Sequence, residues 1–118
     1  MSDFQVDFYT LPNGSKPAKE FVLGLDKKMR AKMLRTIEIL EDKGNKLRLP
    51  YSEHLDDGIF EVRAKVGSDI SRVLYFFVVS HEIILTHGFI KKTQKTPPAE
   101  IERAKRYRKD YLERNGLL

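Results

Sequence analysis

From Ser52 onward the apolar residues recur with a period of two, and they do so in four successive segments. Ser52–Leu55 reads as a short strand and Asp57-Gly58 as a turn. Ile59–Val66 then sets Phe60, Val62, Ala64 and Val66 on one face against Ile59, Glu61, Arg63 and Lys65 on the other. Gly67-Ser68-Asp69 supplies the next turn. Ser71–Val79 is apolar on both faces, as a central strand is, and Ser80-His81 turns the chain into Glu82–Ile90. Segments joined by turns this short fold as an antiparallel meander, which fixes most of the architecture.

The rest of the chain must cover that sheet. Phe4–Tyr9 alternates apolar and polar residues, reads as a half-buried strand, and ends at the turn Leu11-Pro12-Asn13-Gly14. Ser15 is placed to cap a short helix with Pro17 in its first turn, Phe21, Val22 and Leu25 on one face, and its end near Gly24. Asp26 is placed to cap a longer helix in which Met29, Met33, Ile37 and Leu40 form a stripe, with Gly44 as the stop. The methionines at this spacing are core packing. After the polar loop Lys91–Thr96, Thr96 is placed to cap a last helix opening at Pro97 and carrying Ile101, Ala104, Tyr107 and Tyr111 among many cations. The order β-α-α-β-β-β-β-α predicts one α+β domain over residues 1–118. An N-terminal helical hairpin and a C-terminal helix accompany an antiparallel sheet, with the amphipathic helices on one face and the other face at least partly open.

Composition narrows the function. The chain has no cysteine, its longest apolar run is Val73–Val79, and Met1-Ser2-Asp3-Phe4 lacks a secretory signal's character, so a cytoplasmic protein without a membrane role is expected. The net charge of +5 is uneven: residues 1–62 hold 10 Lys/Arg against 11 Asp/Glu, and residues 63–118 hold 12 against 6. Such a basic half attracts phosphate backbones or an acidic partner. His54, His81 and His87 have no ligand spacing with acidic residues, and no glycine loop cradles phosphate, so neither metal nor cofactor is expected.

The informative cluster lies on the meander. If two residues stay unpaired in each turn, Arg63 faces Arg72, Arg72 faces Phe89 and Leu74 faces His87, so that Arg63, Arg72, His87 and Lys91 share one face. Directly opposed like charges are unfavourable, and this pair requires either an anionic ligand or a carboxylate such as Glu61.

Three segments add a resemblance: Gly58-Ile59-Phe60-Glu61-Val62-Arg63, Ser71-Arg72-Val73-Leu74-Tyr75-Phe76-Phe77, and His87-Gly88-Phe89-Ile90-Lys91-Lys92-Thr93-Gln94-Lys95-Thr96-Pro97, closing in Glu100-Ile101-Glu102-Arg103-Ala104. In this order and spacing they resemble the HigB-like, phage-related branch of the RelE/ParE toxin superfamily. The resemblance implies the toxin of a type II toxin–antitoxin system, a ribosome-dependent mRNA endoribonuclease in which a 2′-hydroxyl attacks the adjacent phosphate without a metal. It implies Arg63 and Arg72 as phosphate-stabilising groups, Lys91 or Lys92 as charge stabiliser or acid, and His87 or His54 as base. Lys65, Lys95, Arg103 and Arg106 are the expected RNA contacts. The expected partners are ribosome, mRNA and a helix-turn-helix, HigA-like antitoxin, with promoter DNA reached only through the antitoxin. The antitoxin either covers the Arg63/Arg72 face or, as favoured here, docks on the N-terminal helices around Lys27, Lys28, Lys32 and Arg35. Two other readings fit the same fold: a ParE-like inhibitor of DNA gyrase, and a non-catalytic nucleic-acid-binding module.

Overall fold

The computed structural model describes residues 3–79, 81–91 and 95–118. The elements are β1 (Gln5–Phe8), α1 (Pro17–Leu23), α2 (Lys27–Lys43), a short 3₁₀ turn (Gly44–Lys46), β2 (Ser52–Asp56), β3 (Ile59–Val66), β4 (Asp69–Val78), β5 (Glu82–Lys91) and α3 (Pro98–Arg114). The local signals for α2 operate as read: the Asp26 carboxylate accepts the Met29 N–H at 2.9 Å, and Met29, Met33, Ile37 and Leu40 form the buried stripe. Gly44, at φ 57°, ends the helix where a Cβ would come within 2.2 Å of the Phe4 ring. Two predicted caps are not used. The Ser15 hydroxyl donates to Asn13 Oδ1 at 2.8 Å, leaving Lys16 at the α1 N-cap, and α3 starts at Pro98 behind Pro97 with Thr96 turned elsewhere.

The sheet order is β1-β5-β4-β3-β2. The meander is antiparallel, but β1 pairs with β5 in parallel, from Gln5↔Glu82 to Phe8↔Leu85, so the sheet is mixed and not antiparallel throughout. Alternation reports burial and is silent on strand direction. The helical hairpin carries the chain from one edge of the sheet to the other, and α1 and α2 bury Val62, Ala64, Val73, Tyr75, Ile83 and Leu85 beneath them. Helix α3 lies on the opposite face, against Tyr9, Ile59, Leu74, Phe76, Val78 and Ile84; placing all helices on one face is therefore corrected. Apolar residues on both faces of β4 demand this arrangement, since each face needs a cover.

Helix α3 is fastened along its length. The Tyr9 hydroxyl donates to Asp110 at 2.5 Å and its ring stacks on Tyr107 at 4.6 Å, while burial first and Asp110 second push the Tyr9 pKa up to about 12. Lys105 reaches Asp56 at 2.6 Å and Arg108 reaches Asp57 at 2.8 Å, tying the helix to the β2–β3 turn. Among the described residues no helix is long and apolar enough to cross a membrane.

The expected pairs Arg63↔Arg72, Arg72↔Phe89 and Leu74↔His87 are all present, for a more complicated reason than a two-residue turn. Val78 pairs with Glu82, so three residues separate β4 from β5, and the register shifts again between Leu74↔His87 and Tyr75↔Leu85. Thr86 is the extra residue of that bulge, and its hydroxyl lies 3.2 Å from the Leu74 carbonyl oxygen. The two one-residue offsets cancel.

Candidate functional site

Two adjacent rows of side chains cross β3, β4 and β5 on the α3 face: Arg63, Arg72 and Phe89 in one, Lys65, Ile70 and Lys91 in the other. Glu61, two residues before Arg63 on the same face, is fully buried and joins the cluster together. Arg63 Nε donates to Glu61 Oε2 at 2.5 Å, Arg72 Nε lies 3.4 Å from that oxygen, and the Thr96 hydroxyl donates to Glu61 Oε1. A second carboxylate, Glu53, accepts from the far end of Arg63 at 2.9 Å. Among the described residues two guanidinium groups thus meet two carboxylates, and this pairing lets Arg63 lie against the buried Arg72. Of the two counter-charges the sequence allowed, the protein supplies the carboxylate itself.

Exposure separates the two arginines. The Arg72 side chain is 0% exposed, its guanidinium 5.9 Å from the Phe89 ring centroid, whereas Arg63 keeps 16% of its side chain in solvent. The Arg72 guanidinium is closed off from solvent and approaches the same Glu61 oxygen that Arg63 does. Lys65, Lys91 and Lys95 are exposed, and the first two lie in the row beside Arg63. Lys92 lies outside the described residues.

Neither candidate histidine joins the exposed cations. His87 is 1% exposed, with Nδ1 3.1 Å from the Thr86 hydroxyl, Nε2 3.1 Å from Glu100 Oε1, and its ring perpendicular to Tyr107. Burial first, then Arg103, against the pull of Glu100, lowers its pKa to about 4, so it is a neutral, enclosed imidazole at neutral pH. His54 is exposed, but it pairs with Phe60 on the hairpin face, away from Arg63. Its Nε2 accepts the Gly58 N–H at 3.1 Å, which makes it a brace for the β2–β3 turn.

The remaining cations divide by location. Arg103 and Arg106 are exposed on α3, with Arg103 Nε donating to the Tyr107 hydroxyl at 3.0 Å. Lys27, Lys28 and Arg35 are exposed on α2. Lys32 differs, because its Nζ donates at 2.5 Å to the Lys65 carbonyl on the edge of β3. That contact links a residue expected to meet the antitoxin with one expected to meet RNA.

Sequence reasoning missed Glu53, Thr96 and Glu100. Glu53 was legible in principle, since it faces Glu61 across the β2–β3 ladder and two opposed carboxylates call for a cation. Thr96 was assigned to helix capping, and Glu100 meets His87 only because α3 folds over the sheet. Among the described residues no three His, Asp or Glu side chains gather as a metal site requires. The site therefore presents one fixed cation, Arg63, at the exposed end of a buried ion network, with exposed lysines in the neighbouring row, an arrangement suited to holding a phosphate.

Comparison with curated proteins gives no match. A family model does match, over residues 20–109, a span that runs from α1 into α3 and takes in Glu53, Glu61, Arg63, Arg72, His87 and Thr96. The chain belongs to the phage-derived Gp49-like protein family.

Proposed function

We propose that this protein is the toxin of a toxin–antitoxin pair, an endoribonuclease that cuts mRNA on the ribosome by attack of a 2′-hydroxyl on the adjacent phosphate, without a metal. The observation that carries the reading is Arg63. Its guanidinium is held by Glu61 and Glu53, lies across the ladder from the buried Arg72, and is partly open to solvent next to the row that runs from Lys65 to Lys91. Phosphoryl transfer needs charges that are already in place when the transition state forms, and a guanidinium fixed by two carboxylates has little reorganisation left to make. Membership of a phage-derived family agrees with this reading, as does the order of the three motif segments.

In the reaction the 2′-hydroxyl gives up its proton to water as its oxygen bonds to phosphorus. The bond to the 5′-oxygen breaks, and that leaving oxygen takes up a proton, giving a 2′,3′-cyclic phosphate and a free 5′-hydroxyl. Arg63 and Lys65 stabilise the charge on the non-bridging oxygens, Lys91 serves the leaving oxygen, and Arg72 is a positioning residue that acts through Glu61. His87 is too enclosed to serve as the base, and its place is structural. The helix-turn-helix antitoxin docks on the exposed outer side of α2 around Lys27, Lys28 and Arg35.

The test is to add the purified protein to a translating extract and map transcript ends. Cleavage is expected, with resistance of a message carrying a 2′-deoxy sugar at the cut site and a rate roughly 100- to 1,000-fold lower for Arg63→Ala, the loss typical of removing one electrostatic donor. Intact transcripts together with blocked gyrase supercoiling would replace this reading with the gyrase one.

A further inference from the structure

The β2–β3 ladder ends at the pair Ser52↔Val62 with one further bond, from the Arg63 N–H to the Tyr51 carbonyl, and beyond it β3 pairs with no strand on that edge among the described residues. Between that edge, α2 and the segment at residues 49–51 lies a groove of about 610 Å³, whose walls include Lys32, Leu49, Pro50, Tyr51, Arg63 and Lys65. Among the described residues three cations and no carboxylate line it, and one of the three, Arg63, is paired with Glu53 and Glu61 beyond the groove wall. Leu49 is 61% exposed and Tyr51 43% exposed, an unusual amount of apolar and aromatic surface left at a cationic site. The Tyr51 backbone is nevertheless fixed, because its N–H donates to the Arg48 carbonyl at 3.1 Å and its carbonyl accepts the Arg63 N–H at 2.9 Å.

A free strand edge invites an added peptide strand, but here the Lys65 carbonyl that such a strand would use already accepts from Lys32 Nζ. What the groove retains is an apolar wall with an aromatic ring, and the ammonium groups of Lys32 and Lys65, which among the described residues meet no carboxylate, unlike Arg63. That is the chemistry of a nucleobase and its phosphate. We infer that the groove holds one nucleotide of single-stranded RNA, its base stacked on Tyr51 beside Leu49 and Pro50 and its phosphate near Lys32 and Lys65. The inference rests on the ribonuclease reading, since Arg63 and Lys65 line the groove and also form the phosphate-facing rows, which places this nucleotide next to the one that is cut.

The test is fluorescence anisotropy with a labelled, 2′-O-methylated hexanucleotide that binds without being cut, in the absence of ribosomes. Tyr51→Ala is expected to weaken binding roughly 5- to 150-fold, the range set by about 1–3 kcal/mol for one base–aromatic stack. Tyr51→Phe keeps the stack and is expected to retain most of the affinity, and Lys65→Glu to weaken binding and flatten its salt dependence. Melting curves check that each variant is folded. Wild-type affinity in Tyr51→Ala, equal losses in Tyr51→Ala and Tyr51→Phe, or a wild-type protein that ignores the oligonucleotide while binding an acidic peptide would each overturn the assignment. Cleavage in the translating extract separates the two readings. Tyr51-dependent binding with intact transcripts upholds the groove and removes the ribonuclease, whereas cut transcripts with normal binding by Tyr51→Ala do the reverse.

Discussion

The two faces of the sheet are built on different terms. Under α1 and α2 the contact is almost wholly apolar, and its buried polar groups are satisfied locally: the Ser52 and Tyr75 hydroxyls bond each other at 2.5 Å, and Thr36 donates back to the Lys32 carbonyl of its own helix at 3.0 Å. Under α3 the face divides. One part is an apolar cluster around Leu74, Phe76 and Ile84, and the other buries Glu61, Arg72, His87 and Thr96. Apolar residues of equal volume in the second part would hold the fold as well or better, because desolvating charges offsets much of what their pairing returns. The polar half of the α3 face thus holds Arg63 in one orientation at a desolvation cost that the hairpin face does not carry.

The largest expected effect breaks this comparison at Glu61. Glu61→Gln leaves Arg72 buried against a neutral amide and Arg63 with Glu53 alone, and is expected to destabilise the protein by about 3–5 kcal/mol, read from the midpoint of urea unfolding. Adding Arg72→Met should recover a substantial part of the loss, because it removes the charge that Glu61 was compensating. If Glu61→Gln unfolds at the wild-type urea concentration, the network does not organise this face. The counterpart on the hairpin face is Leu40→Ala, at a fully buried site. A loss of about 2–5 kcal/mol is expected from the cavity. The folded Leu40→Ala fraction should cut RNA normally, and an impaired rate at full folding would show that the faces are coupled.

This difference between the faces also sets what the sequence could disclose. Helical stripes, strand alternation and glycine turns are local, so the hairpin helices and the meander are readable from Met29, Met33, Ile37 and Leu40 or from Asp57-Gly58. The Arg63–Arg72 adjacency is readable as well, because a tight turn fixes the β3–β4 register. Its neighbour was reached through compensation, since the bulge at Thr86 restores what the longer β4–β5 turn displaces. The burial of Arg72 and His87 is not local. It depends on Thr96, Glu100 and Tyr107, which come from the far end of the chain once α3 crosses the sheet. A histidine and an arginine facing the right way could be assigned chemistry from sequence, but their solvent access is decided by tertiary packing.

The next effect sharpens the comparison through pH. His87 titrates near 6.5 when unfolded and at about 4 when folded, because burial disfavours its charged form. Below pH 6.5 the unfolded chain takes up a proton that the native state refuses. The contribution of neutral His87 is therefore complete above that pH and is lost as pH falls toward 4, by roughly 3 kcal/mol in all. His87→Gln removes this titration. The stability difference between wild type and variant, followed by urea unfolding from pH 7.5 down, is expected to shift against the wild type across that window. A constant difference would mean that His87 takes up its proton in the folded state as readily as in the unfolded chain.

The smallest effect concerns Thr96, which separates a structural tie from a helix cap. Its hydroxyl donates to Glu61 Oε1, and α3 begins two residues later behind Pro97 with no side-chain cap. Thr96→Val preserves shape and removes the donor, leaving a buried carboxylate one hydrogen bond short, at a cost of about 2 kcal/mol. Thr96→Ser keeps the donor and should retain most of the stability. Combination with Glu61→Gln identifies the partner: if the hydroxyl serves the carboxylate, Thr96→Val should cost clearly less once that charge is gone. An unchanged cost in both backgrounds would place the hydroxyl's contribution at the start of α3, and would leave Glu61 held by the arginines alone.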